Sequence, residues 1–211
     1  MIFELNHVVP DPLPQDIVQS SEIWDTQFHF EANSAILVSA HSGMGKSTLL
    51  HMLYGIRRDY SGVLSINGKD SGSFSHDEWI KIRKSSISLL FQDLRLFPHL
   101  TALENIRLIP QTNRDAPKIE EMTEMLGLSS LLDQSVHTLS HGQRQRVALV
   151  RALLKPFKLL LLDEPFSHLD DVNQNQACSL INRVVQANGA GIILSTLGPV
   201  PKIPFDQKYS L

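Results

Sequence analysis

Three short apolar runs, Ala35 to Val38, Leu159 to Leu162 and Gly191 to Leu194, stand out from a chain otherwise mixed in polarity. Runs this short, without polar alternation, have the pattern of central strands buried on both faces of a parallel sheet. Nearer the amino terminus the period becomes two. Phe3 and Leu5 alternate with polar neighbours, as do Phe28 and Phe30, and Val63 to Ile66 runs into an Asn67-Gly68 turn signal. These segments predict a small antiparallel β-subdomain. Helical periods fill the intervals. Ser75 to Glu78 and Thr101 to Glu104 both have capping-box spacing, and Pro98 and Pro110 bracket the second. From Lys118 to Leu126 the apolar positions Ile119, Met122 and Leu126 recur at helical spacing, with Gly127 as a stop. The stretch from about Asp93 to Leu139 reads as a helical insert, and the helix that follows Leu139 extends it to about residue 150. Val172 to Asn188 predicts another helix, with Ala177, Leu180, Ile181 and Val184 on one face and Gly189 at its end. Pro10 to Ser21 carries no assignable pattern. The alternation predicts an α/β fold: a mostly parallel sheet, an N-terminal antiparallel β-subdomain and an α-helical subdomain.

The first run leads into AHSGMGKST, Ala40 to Thr48, and then into the helix-like STLLHMLYG. A glycine-rich turn between a strand and a helix lets backbone N–H groups converge on phosphate oxygens, and the helix start adds positive potential. This is a P-loop, which makes His41, Ser42, Gly43, Met44, Gly45, Lys46, Ser47 and Thr48 the candidate nucleotide contacts. Lys46 is placed to neutralise the β- and γ-phosphates, and Ser47 to ligate Mg²⁺. The pattern usually begins with glycine; Ala40 fits there only if its φ is negative. The second run ends in LLLLDEP, Leu159 to Pro165. Asp163, at the end of a buried strand, can hold Mg²⁺ through water, and Glu164 beside it can act as general base toward a water attacking the γ-phosphate.

LSHGQRQRVALVRALL, beginning at Leu139, resembles the signature motif of ABC ATPases, usually written LSGGQ, with the arginine-containing helix that follows it. With the P-loop upstream and LLLLDEP downstream, the resemblance spans nearly the whole chain. It implies an ATP-hydrolysing domain, residues 1–211, that closes head-to-tail with a second chain over two nucleotides. It further implies that Ser140, Gly142 and Gln143 present donors to ATP held by the opposite subunit, with His141 replacing a glycine. Gln92 in LFQDL takes the role of the glutamine that senses metal and γ-phosphate, so Ser47, Gln92 and Asp163 form the Mg²⁺ set and Glu164, Lys46 and Gln92 the catalytic one. SHLD, Ser167 to Asp170, resembles the loop that crosses the dimer seam. Two family positions are filled differently. The histidine that contacts the γ-phosphate is replaced, by spacing from Glu164, by Leu197, which can neither donate nor accept a hydrogen bond. The region expected to stack an aromatic on adenine, around Pro14 to Val18, contains none; Trp24 could compensate, but its spacing suits a strand residue. STLLHMLYGIRRDYSGVLSINGKD and LTALENI look most like the lipoprotein-releasing and macrolide-exporter group, whereas DEPFSHLD is also seen in importers.

Composition narrows the partners. With 211 residues and a net charge of −3 the chain can bury a core but has no basic run suited to nucleic acid. Cys178 is the only cysteine, which excludes an internal disulfide and fits a reducing cytoplasm. The nine histidines show no paired metal spacing. MIFELNHVV has no signal-peptide character, and no apolar run approaches the roughly 20 residues of a membrane span. A membrane role would therefore be played through an integral permease, from the cytoplasmic face of the plasma membrane. After Leu197 only a loop and a last short strand at Lys208 to Leu211 are expected, with no regulatory domain. Two functions stay open: the energy subunit of a transporter, as a homodimer or heterodimer, and a non-transporting ABC ATPase that regulates a membrane partner, slowed by Leu197. A soluble member acting on DNA would carry a long coiled coil between P-loop and signature, and fewer than about 100 residues separate Lys46 from Ser140. A ribosomal member would carry two such domains in one chain.

Overall fold

The two hydrophobic periods sort the strands into two sheets. The structure is a computed structural model, which describes residues 1–113 and 116–211. The period-two segments form β1 (Ile2–Pro10), β2 (Gln27–Glu31) and β4 (Tyr60–Ile66), which pair antiparallel with a short edge strand β5 (Lys69–Asp70) in the order β2-β1-β4-β5. Phe3 lies opposite Phe30 in this register, and their rings stack at 4.8 Å. The apolar runs form β3 (Ala35–Ser39), β7 (Leu159–Asp163) and β8 (Gly191–Thr196). They sit inside a wholly parallel sheet, flanked by β6 (Ile87–Leu90) and β9 (Gln207–Ser210), in the order β6-β7-β8-β3-β9.

Alternation along these strands serves two cores. Leu160, Leu162, Ile192, Leu194 and Leu37 point into one cluster, whereas Leu159, Leu161, Ile193, Ile36 and Val38 point into the other. Each strand is covered on both faces, which is why its sequence reads as a continuous apolar run. One cluster includes the buried faces of α6 (His141–Leu153) and α7 (Asp171–Ala187), together with α4 (Ala102–Arg107) and α5 (Ile119–Met125). The other takes α2 (Lys46–Leu53), α3 (His76–Ser85) and the inner face of the antiparallel sheet. Both anticipated capping boxes form, at Ser75/Glu78 and at Thr101/Glu104. Helix α7 buries Ala177, Leu180, Ile181 and Val184 and ends at Asn188 and Gly189, as its pattern predicts.

The differences are local. Pro10 to Ser21 contains α1 (Gln15–Ser20), a short helix with no buried residue, so it leaves no hydrophobic signature. The carboxyl-terminal strand is Gln207–Ser210 rather than Lys208 to Leu211, because Leu211 turns into the core at 3 % exposure. The expected insert between β6 and β7 contains α4, α5 and α6, and its residues 114 and 115 lie outside the described residues. Among the described residues no helix is long and apolar enough to cross a membrane.

Candidate functional site

Parallel strands share a direction, so the loops after β3, β6, β7 and β8 all leave the same edge of the sheet. That edge gathers Ala40–Gly45, Gln92, Asp163–Glu164 and Ser195–Leu197. The P-loop passes from β3 to α2 through Gly45, which caps the helix at φ +95, a conformation that side-chain-bearing residues rarely adopt. Ala40 has a negative φ, so alanine is tolerated at the position usually held by glycine. Lys46 is 5 % exposed, and its ammonium donates to the carbonyls of Ala40 at 2.7 Å and His41 at 3.0 Å. Its third neighbour is the Glu164 carboxylate, at 3.5 Å. The hydroxyl of Thr48 accepts from Arg57 at 2.8 Å, so this side chain is engaged away from the loop.

Three oxygen donors stand at the same sheet edge as Lys46. The Ser47 hydroxyl donates to Gln92 Oε1 at 3.4 Å, bringing together residues from two separate elements. Asp163 is 1 % exposed; its Oδ1 accepts from Ser195 at 2.7 Å, and its Oδ2 has no hydrogen-bond partner among the described residues. A buried carboxylate oxygen without a partner is costly. Together with a hydroxyl and an amide oxygen it is the hard donor set that Mg²⁺ prefers. The residues present therefore fit the ion.

Glu164 follows in a left-handed conformation, φ +48, immediately before Pro165. Strain of this kind costs on the order of 1–3 kcal/mol and persists where neighbours over-determine it. Here the neighbours are Ser195, whose carbonyl and hydroxyl accept from the Glu164 N–H at 3.1 and 3.3 Å, and Gln145, whose amide donates to the Glu164 carbonyl at 3.0 Å. Leu197 directly follows the last residue of β8. It is 53 % exposed and lines a cavity of ≈ 480 Å³ with Glu164, Phe166, Ser167, Leu169 and Pro199. The Thr196 hydroxyl beside it accepts from the Gly198 N–H at 3.1 Å.

The signature begins α6, packed against the loop that follows Glu164. Ser140 caps the helix: its hydroxyl accepts from the Gln143 N–H at 3.3 Å, and Gln143 Oε1 accepts from the Ser140 N–H at 2.8 Å. The first N–H groups of a helix have no intrahelical acceptor, so His141 and Gly142 offer donors to an anion. His141 packs on His168, ring centroids 3.8 Å apart, and burial, then His168 and Arg144, hold its pKa below the ordinary value. At the other end of α6, Arg151 donates to the Leu94 carbonyl at 2.6 Å, two residues past Gln92 and within a left-handed pair, Leu94 and Arg95.

Gln145, Ser195 and Arg151 escape the sequence reading. Ser195 had a signal, a hydroxyl ending an apolar strand; Gln145 and Arg151 lie within the signature helix and are marked only by their partners. Trp24 differs from expectation. It occupies a turn before β2, is 1 % exposed, and lies beneath Gly45, where an added Cβ would come within 3.2 Å of the indole. A buried indole cannot stack on adenine; it supports the P-loop from below. Trp24→Ala is expected to lower the unfolding free energy by about 3 kcal/mol, measured by urea denaturation.

A family model described as ABC transporter matches residues 23–167. The thiamine import ATP-binding protein ThiQ of Vibrio vulnificus is 35 % identical over 171 residues, covering 79 % of this chain and 70 % of that protein. The "Probable syringafactin export ATP-binding/permease protein SyfD" of Pseudomonas syringae is 31 % identical over 179 residues, 82 % of this chain and 27 % of that one. Among solved structures, a dimeric post-hydrolysis state of the ATP-binding cassette MJ0796 bound to ADP and Pi superposes with a TM-score of 0.76 at 25 % identity, covering 93 % of this chain and 88 % of that one.

Proposed function

The chain belongs to the ABC transporter family, and from that membership we propose that it is the ATP-hydrolysing subunit of a membrane transporter, closing head-to-tail with a second copy over two nucleotides. Residues 1–211 act as one nucleotide-binding domain, with a helical subdomain at about 93–150. The observation that carries this reading is the cluster of Lys46, Glu164 and the unpartnered Asp163 oxygen at one sheet edge. Lys46 pairs with the β- and γ-phosphates, and the N–H groups from His41 to Thr48 cradle them. Ser47, Gln92 and Asp163 would hold Mg²⁺. The ion supplies charge neutralisation on the phosphates when bound. Glu164 accepts the proton of the attacking water, and Gln92 senses the metal and the γ-phosphate. Ser140, Gly142 and Gln143 give the signature donors to the other chain's nucleotide. The resemblance to a cassette solved as a dimer supports the pairing.

Transport requires an integral permease, and ATP requires the cytoplasmic side; we place the chain there, peripheral on the membrane. The relatives named above include one import protein and one export protein, so membership carries no direction. Purification from membranes tests the partner. An integral membrane protein is expected to copurify with the chain; an active ATPase that emerges from solubilised membranes alone contradicts the transporter reading.

The second reading, a slow ATPase that regulates a membrane partner, is favoured by Leu197, which places an apolar side chain beside Glu164 where a γ-phosphate donor would stand. A preorganised donor to developing charge is worth on the order of 10² to 10³ in rate. At a half-exposed position the expected gain for Leu197→His is about tenfold in phosphate release. Unchanged turnover would show that Thr196 or another group already fills the role.

A further inference from the structure

Gln145 is 3 % exposed on an otherwise apolar face of α6. Burying an amide is unfavourable unless both its donor and its acceptor are used. Here both are used, and every partner belongs to one segment. Nε2 donates to the Glu164 carbonyl at 3.0 Å and reaches the Ser167 hydroxyl at 3.4 Å, while Oε1 accepts from the His168 N–H at 3.4 Å. A carbonyl demands a donor and an N–H demands an acceptor, so the network fixes the amide in one orientation.

The turn of α6 before Gln145 is fitted to the same segment. A Cβ on Gly142 would stand 2.6 Å from the His168 carbonyl, so the helix approaches there as closely as glycine allows. His141 covers His168 from the other side. The first turn and a half of the signature helix is thereby locked to the loop that begins with the strained Glu164.

We infer that Gln145 is a positioning residue that holds Glu164 in its reactive orientation and ties it to the signature helix. The inference rests on the proposed roles of Glu164 as base and of the signature as a donor to the other chain's nucleotide. Under those roles, the helix start acts on the neighbouring site while Glu164 acts on its own. Gln145 joins the two, so engagement of the signature at one site sets the base at the other.

Steady-state hydrolysis with varied ATP tests this in the full-length chain, with Glu164→Gln measured alongside. Gln145→Met keeps length and volume and removes both hydrogen-bonding functions; Gln145→Glu keeps the acceptor for His168 and removes the amide donor. Both variants are expected to lose about tenfold to a hundredfold in kcat, with KM and ATP affinity within about twofold of the parent, because a small misplacement of a reacting group is felt in the chemical step. If Gln145→Met does not fold, Gln145→Glu alone carries the test. Wild-type kcat in a folded variant, while Glu164→Gln is inactive, overturns the clamp and leaves the base assignment standing. A parallel loss of ATP affinity in both variants also overturns it, since that is general loosening. Retained turnover in Glu164→Gln instead overturns the assignment of the base itself.

Discussion

Lys46→Ala is expected to weaken Mg-ATP binding by at least about thirtyfold, because truncating one partner of a buried, hydrogen-bonded charge pair costs about 2–5 kcal/mol. The ammonium is 5 % exposed and is held at the loop by the Ala40 and His41 carbonyls, so it is oriented before any ligand arrives. Preorganisation makes the lost contact large. Alanine is a good helix former at the first position of α2, so the fold should survive the change. Calorimetric titration with Mg-ATP reads the effect directly. An affinity equal to that of the parent would remove the P-loop from the account.

Glu164→Gln is expected to reduce hydrolysis by about 10² to 10⁴ while leaving ATP affinity within a few-fold, since a positioned general base contributes that much to rate and little to ground-state binding. The backbone that fixes Glu164 is held by Ser195 and Gln145 through its N–H and carbonyl, and glutamine keeps both. The side chain stays the same length and loses only its charge and basicity. The ion pair with Lys46 is lost as well, which frees the ammonium for phosphate. Phosphate release beside an affinity measurement separates the two effects. Turnover at the parental rate would show that another group takes the proton.

The gathering of the candidate residues at one sheet edge was legible in the sequence because each piece carries its own local pattern. The P-loop needs glycines at fixed offsets, and Gly45 adopts the left-handed φ that its position demands. Asp163 ends an apolar run, and that run is central in the parallel sheet. What stayed hidden depends on partners distant in sequence. Gln145 and Glu164 are 19 residues apart, and neither one's spacing reveals the bond between them. Trp24 shows the same limit: its neighbours read as a strand, but the indole fills the space under a loop some twenty residues further on. Strand β6 escaped because Ile87–Leu90 follows α3 after a single residue and carries Ser88, whose hydroxyl is satisfied by the distant Ala152 carbonyl. Short helix α1 has six residues and none of them buried, too little to show a period.

In the proposed mechanism ATP closes two copies of this chain on each other, each signature completing the other's site. Light scattering of Glu164→Gln, with and without saturating Mg-ATP, tests it most directly, because a slowed base keeps the nucleotide intact during the measurement. The mass is expected to rise from the 23.7 kDa of one chain to about twice that value when Mg-ATP is added. A mass that stays at one chain, in a variant shown by calorimetry to be saturated with nucleotide, would contradict it.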